Sequence, residues 1–357
     1  MYIAYFKHIT KKIVHNYFIA VLFIFSICSS KAQSLYVNPV KGNDQAKGTL
    51  AEPLASLDKA VSLAKGFSGN NNIDIKLAPG LYLIRQSLKI ESNSQAVSGK
   101  FTIKAMVMPD DVDWTPAKMP VIQVTADSNR IGKLSHASIA FQVERNNVAL
   151  KGLKFLGNPN PSSVYFYAIE RRNSALKDLI ISQCYFIGEK NSAPIQGGIF
   201  AQGEGIHIDH CIFYNCKNAV LSFINVKDFS ITHSIIYGAY EAAIWLGYGP
   251  DADLPFTFHN NIVANGNYFW VGAKGIHKNY LFSNSVISGN ANYLGINGDT
   301  IVPDQVNKST ERNIDKSGKV VLSEITAEGV QRDYLNLSGT SAGRQIDAGI
   351  FINKKAN

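Results

Sequence analysis

Five segments of this chain repeat one pattern: Leu179–Phe186, Ile206–Phe213, Phe229–Ile236, Phe256–Val263 and Tyr280–Ile287. Each alternates apolar and polar residues, then closes its first half on a polar residue. Those residues are Gln183, His210, His233, Asn260 and Asn284, at spacings of 27, 23, 27 and 24. A period of this length with strand alternation, and without a helical 3.6-residue pattern, is the signature of a β-solenoid. No single coil can bury its apolar side alone, so each must stack on the next. The pattern therefore predicts an all-β chain, a right-handed parallel β-helix wound as a single-stranded solenoid.

Residues 1–32 read as a signal peptide and leave the fold argument. Lys7, Lys11 and Lys12 form a positive n-region, and Tyr17 to Ile27 is an apolar stretch short for a bilayer span. Small residues at Ser30 and Ala32 predict cleavage before Gln33, and the bulky Ile27 before Cys28 argues against a lipid anchor. Residues 33–357 then form one β-helix domain, exported to the periplasm or the exterior, monomeric and without a membrane span. Removing the leader removes four lysines and no acid, so the formal charge falls from +8 to +4. That mild positive excess suits an acidic partner. No Lys/Arg run interleaves with aromatics, which argues against nucleic acid. Of the cysteines, Cys184 and Cys211 hold the same repeat position in adjacent coils, about 4.8 Å apart. A disulfide and a pair of stacked thiols both fit. Cys216 makes the count odd, which argues against a disulfide framework.

Within each repeat the apolar residues fall two apart, so Ile208, Ile231, Phe258 and Phe282 should form one inward stack. The polar residues should form a ladder at a bend, with His210 and His233 stacked in it. His207 alternates outward, while His259 and His277 show no partner. Three residues past the ladder an apolar residue returns inward, and a looser turn leads to a third strand. Counting eight residues from the ladder aligns Asn218, Glu241, Tyr268 and Asn292. Strict alternation then places Leu221, Ile244 and Val271 inside, with Trp245, Trp270 and Lys274 outside. At the N-terminal end, Pro53 to Ala64 reads as an amphipathic helix that caps the open solenoid. From Ile301 to Val320 the repeat fades, and residues 333–350 read as a last irregular coil.

The opening, with Tyr36-Val-Asn, Gly42-Asn-Asp, Gly48-Thr, Pro53, Ser56-Leu and Lys59-Ala-Val, resembles the N-terminal cap of pectin-lyase-like parallel β-helix proteins. The ending, with Ser341 and Ile346-Asp-Ala-Gly, is similar to their closing segment. This resemblance covers nearly all of residues 33–357 and implies the fold, with a substrate groove along the strand after the looser turn. It does not select a reaction, because that scaffold hosts lyases, glycoside hydrolases, epimerases and binding proteins. Ile208-Asp-His-Cys211 resembles a pectate-lyase consensus, yet the register puts Asp209 and His210 at the ladder, away from the groove. The Arg-x-Pro-x-x-Arg of those lyases is absent, as are the Gly-His-Gly and Arg-x-Lys of polygalacturonases. No family's catalytic set carries over.

Candidate chemistry therefore comes from the groove strand. Glu241, between Tyr240 and two alanines, can ligate calcium through oxygen or act as acid or base. Lys274 is the second catalytic candidate, since β-elimination from a uronic acid needs a base and a cation against the substrate carboxylate. Trp245 and Trp270, in neighbouring coils, offer flat apolar faces for sugar rings. Tyr240, Tyr268, Asn218, Lys217 and Arg171 complete the substrate-binding set. Asp251 and Asp253 lie in the following turn and can help hold calcium. The function expected is a polysaccharide lyase acting on a uronic-acid-containing polymer. A glycoside hydrolase on the same fold and a non-catalytic polysaccharide-binding protein are the alternatives.

Overall fold

The computed structural model describes residues 33–67, 71–92, 98–127, 129–131, 135–224, 226–246, 256–275, 279–323 and 331–352. The predicted leader, Asp251, Asp253 and His277 lie outside the described residues. No helix among the described residues is long and apolar enough to cross a membrane.

The repeat folds as its periodicity dictates, into a right-handed parallel β-helix with three strand ladders. The first ladder includes Lys177–Ser182, Glu204–Asp209, Lys227–Thr232 and Phe256–His259. The second includes Tyr185–Ile187, Ile212–Tyr214, Ile235–Tyr237 and Ile262–Ala264. In the third, Tyr165–Arg171, Gly197–Ala201, Asn218–Ser222, Ala242–Leu246, Tyr268–Ala273 and Asn292–Asn297 pair in parallel. The short strand Ile301–Pro303 then closes that ladder antiparallel. Asn279–Ser288 is long enough to belong to both the first and second ladders.

Ile208, Ile231 and Phe258 occupy one register column, Phe282 packs on Phe258 with ring centroids 5.4 Å apart, and all four are buried. The inward column of the second ladder continues the stack, with Phe155, Phe186 and Phe213 rings 5.0 and 4.6 Å apart. The polar ladder forms as expected. Gln183, His210, His233, Asn260, Asn284 and Asn313 all hold φ between 44° and 56°. That left-handed corner favours short polar side chains that bond locally. Asn260 donates to His233 Nε2 at 2.9 Å, Asn284 donates to Asn260, and Asn313 donates to Asn284 at 2.6 Å. One residue inward, a second ladder runs through the core: Ser234 Oγ, Asn261 Oδ1 and Ser285 Oγ each accept a backbone N–H from the preceding coil. Cys184 and Cys211 occupy the same positions as free buried thiols, and Cys216 is likewise free and buried.

Three details differ from the sequence reading. The N-terminal helix runs Leu57–Lys65, because Ser56 is its N-cap and accepts from Lys59 N at 3.1 Å, which leaves Pro53 to Ala55 outside. Leu57, Ala60, Val61 and Ala64 still face the core. The repeat continues where its apolar pattern fades: Lys308–Asp315 pairs in parallel with Asn279–Val286. Being terminal, that coil needs no apolar inner face, and Glu311 stands in the Phe282 column, ion-paired to Lys316 at 2.7 Å. Finally, the chain's end does not stack as a coil. Tyr334, Leu335, Ile346, Ala348 and Ile350 lie over the outward apolar column Tyr185, Ile212, Ile235, Ile262 and Val286. Gly349 N donates to His233 O at 2.9 Å, and Gln183 Nε2 donates to Ile350 O at 3.0 Å, pinning this segment to the polar corner.

Candidate functional site

Glu241 owes its position to one extra residue. Asn218, Tyr268 and Asn292 lie eight residues past their ladder corners, but the residue they pair with between them is Ala242, nine past His233. The surplus is absorbed as a bulge. Both Glu241 N and Ala242 N donate to Lys217 O, at 2.9 and 3.3 Å. In the next coil, Asn267 N takes Ala239 O and Tyr268 N takes Glu241 O, skipping Tyr240. Bulges of this kind re-aim a side chain. Here the Glu241 carboxylate turns back onto the preceding coil. Asn218 Nδ2 donates to Oε2 at 2.7 Å, and Lys217 Nζ stands 3.1 Å from Oε1. Asn218 is fully buried, whereas Glu241 and Lys217 keep 24% and 30% of their side chains accessible, enough to meet a ligand. Tyr240 lies beside them, capped by Lys190 at 5.2 Å from its ring, and burial pushes its phenol up to about 12. Glu241, Lys217, Asn218 and Tyr240 are thus brought together as expected.

The same extra residue shifts any register counted through Ile244, and the expected groove changes with it. Val220, Ile244 and Trp270 share an inward column, while Leu221, Trp245 and Val271 share an outward one. Each of these strands also turns two consecutive residues into the core, as in Ala219–Val220, Ala243–Ile244 and Phe269–Trp270. Strict alternation fails at that point. Trp270 is therefore fully buried, packed between Phe256, Tyr280 and Phe282, and cannot stack on a sugar. Trp245 does face outward, half-buried. Tyr268 neighbours Ala242, with its side chain in an apolar cluster with Val271 and Trp245. Arg171 is wholly buried: it donates to the carbonyls of Gln202 at 2.8 Å and Glu204 at 3.2 Å, and burial lowers its pKa to about 10. It ties two coils together and is not a groove cation. Lys274 stands at the far end of its strand, about 20 Å from Glu241 by strand rise. It lines a separate cavity of about 460 Å³ with Ile296, Asp299, Thr300 and Val302, so the two cannot act on one atom.

Sequence reasoning missed the residues that complete the face. Tyr167, Phe200, Phe223 and Trp245, one from each of four successive coils, form an aromatic row with ring centroids 5.4, 5.4 and 6.1 Å apart. Arg172 lies over Phe200 at 5.2 Å and pairs with Glu170 at 2.9 Å. Glu170 is buried, and its pKa is raised by that burial although Arg172 opposes the shift. The strand Tyr165–Arg171 precedes the five repeats and Gly197–Ala201 starts fourteen residues past Gln183 instead of eight, so only their alignment with Asn218 would have shown that their aromatics join Trp245.

Among the described residues the groups on the Glu241 oxygens are nitrogen donors, Asn218 Nδ2 and Lys217 Nζ, while the oxygen ligands expected beside it for calcium, Asp251 and Asp253, lie outside those residues. Among the described residues, only Asp209, His210 and His233 bring three ligating side chains within 4.8 Å of one another. Their two imidazoles are stacked, with centroids 4.6 Å apart and 13° between planes, so their in-plane lone pairs run nearly parallel. Asp209 instead bonds His210 Nδ1 at 2.9 Å, His233 Nδ1 at 2.8 Å and Thr232 Oγ1 at 2.6 Å. They act as ladder residues.

No protein-family model matches the chain, and no curated protein matches it. Among solved structures it is similar to a rhamnogalacturonan lyase, at 13% identity over 90% of this chain and 100% of that one, TM-score 0.39. A lacto-N-biosidase from Eubacterium ramulus is similar at 11% identity over 80% and 68%, TM-score 0.45. Pectate lyase Pel9A is similar at 14% identity over 92% and 95%, TM-score 0.33. Likenesses this remote speak to the fold alone.

Proposed function

We propose that this chain is a carbohydrate-active β-helix protein, and that the outer face of its third ladder binds a uronic-acid-containing polysaccharide and cleaves it by β-elimination. One observation carries the reading: the bulge that turns Glu241 onto Lys217 and Asn218, at the edge of the aromatic row. A sugar chain laid along the solenoid axis crosses coil after coil, as that row does. Tyr167, Phe223 and Trp245, each half-buried, offer it ring surface. Lys217 supplies the cation that neutralises the substrate carboxylate and so makes the C5 proton acidic, and Glu241 is the base that takes it. Both roles replace those expected for Lys274.

Glycoside hydrolysis is the weaker reading. It requires a second carboxyl group within about 9.5 Å of the first. Among the described residues Glu170 lies three coils and four residues from Glu241, about 20 Å between backbones, and Asp251 and Asp253, the second carboxylates expected near Glu241, lie outside those residues. Binding without turnover is supported by the same aromatic row. Pectate, alginate and glycosaminoglycans, each with and without calcium, should be incubated with the protein and read by the ultraviolet absorbance of the unsaturated product. Product formed by the native protein and lost in Glu241→Gln is the expected result. Reducing ends without ultraviolet product would select hydrolysis, and retention of a glycan without either would select binding alone.

A further inference from the structure

Besides ring surface, Tyr167 carries a phenol on the register column of the Glu241 cluster. It stands in the outward column Tyr167, Gly197, Asn218, Ala242, so only a glycine separates its coil from that of Asn218. The ring uses the space this glycine leaves. A Cβ on Gly197 would fall 2.9 and 3.1 Å from Tyr167 Cδ1 and Cε1, and 2.5 Å from Leu221 Cδ1. Lying over Gly197, the phenol is carried along the solenoid axis toward Asn218 and Glu241. Arg172, Glu170, Tyr165 and Glu241 are the charged and titratable groups whose fields reach it. Burial raises its pKa first of all, with Arg172 opposing and the two carboxylates adding to the rise. A phenol so placed is protonated at neutral pH and is partly accessible at the groove edge.

We infer that Tyr167 is the proton donor to the leaving oxygen, an inference that rests on the β-elimination reading above. Glu241 takes the C5 proton, the electron pair becomes the C4=C5 double bond, and the C4–O4 bond breaks. The Tyr167 O–H gives its proton to O4. The proton held by Glu241 then returns to the phenolate through solvent, so that no water is consumed and both groups are reset. The charges of Glu170 and Glu241 oppose build-up of phenolate charge, and Arg172 offsets them. The guanidinium is held for this by Phe200 and Glu170.

Tyr167→Phe keeps the ring over Gly197 and removes only the hydroxyl. On the polysaccharide that the native protein cleaves, its kcat should fall about 100-fold or more with KM little changed, the size of effect general acids supply. The alkaline limb of the native pH–rate profile, where the phenol ionises and turnover drops, should disappear with it. A uronide carrying a nitrophenolate leaving group at C4 needs no proton, so on it the variant should recover to within a few-fold of the native protein. Gly197→Ala, which pushes the ring aside, should reproduce the loss on polysaccharide. A Tyr167→Phe variant as fast as the native protein on polysaccharide, or equally slowed on both substrates, would overturn the inference and leave β-elimination standing. No unsaturated product from the native protein on any acidic glycan would remove the reading itself.

Discussion

Replacing Trp270 by alanine tests the strand register on which every assignment in the groove depends. The indole is fully buried, with centroids 4.9 Å from Phe256, 5.0 Å from Tyr280 and 5.3 Å from Phe282. An aromatic of this size removes about 150–250 Å² from water. At about 25 cal/mol per Å² that corresponds to about 4–6 kcal/mol. Alanine keeps the Cβ and the cavity partly collapses, so the expected loss is about 3–5 kcal/mol. Trp245→Ala should cost about 1 kcal/mol, because that ring is partly accessible and outside the main core. Urea unfolding followed by far-ultraviolet circular dichroism would show the difference as a large fall in midpoint for the first variant and a small one for the second, at similar slope. In the glycan assay the order should invert, with Trp245→Ala weakening binding and Trp270→Ala, where folded, sparing it. A severe loss of stability for Trp245→Ala with a mild one for Trp270→Ala would refute the register, since a one-residue slip exchanges the two faces.

Two further outcomes follow from the core and the corner. Ile231→Asp places an unpaired charge between Ile208 and Phe258 in the inward column, and should yield insoluble or unfolded protein by expression and circular dichroism; a folded, soluble variant would contradict the stack. Asp209 is raised by burial, but the hydrogen bonds from His210, His233 and Thr232 outweigh that and hold its pKa far below the usual carboxylate range. The sign follows from linkage: its stabilisation is complete above an unfolded pKa of about 3.9 and is lost as pH falls from there toward the folded value. Asp209→Asn should therefore lower the thermal midpoint at neutral pH and flatten its fall in acid; an unchanged acid profile would count against the corner network.

The repeat alone determined the solenoid. A polar corner every 23–27 residues, flanked by residues alternating in and out, leaves stacking as the only way to bury each coil. The inward stack Ile208–Phe282 and the polar ladder could be named from it, because both depend on positions within a strand or one step from its corner. What depended on the length of a whole coil could not. Each coil's third strand is reached through a turn of variable length, and the one surplus residue before Ala242 offset neighbouring coils by one. That offset turned Glu241 onto Lys217 and hid from a count the inward place of Trp270, which stands ten residues past its corner as Val220 does while Ile244 stands eleven past. Likewise, nothing local distinguishes the buried Arg171 from the exposed Arg172, since the strand end decides which carbonyls the first one meets. The row from Tyr167 to Trp245 draws on residues up to 78 positions apart, and only the stacking of four coils brings them side by side.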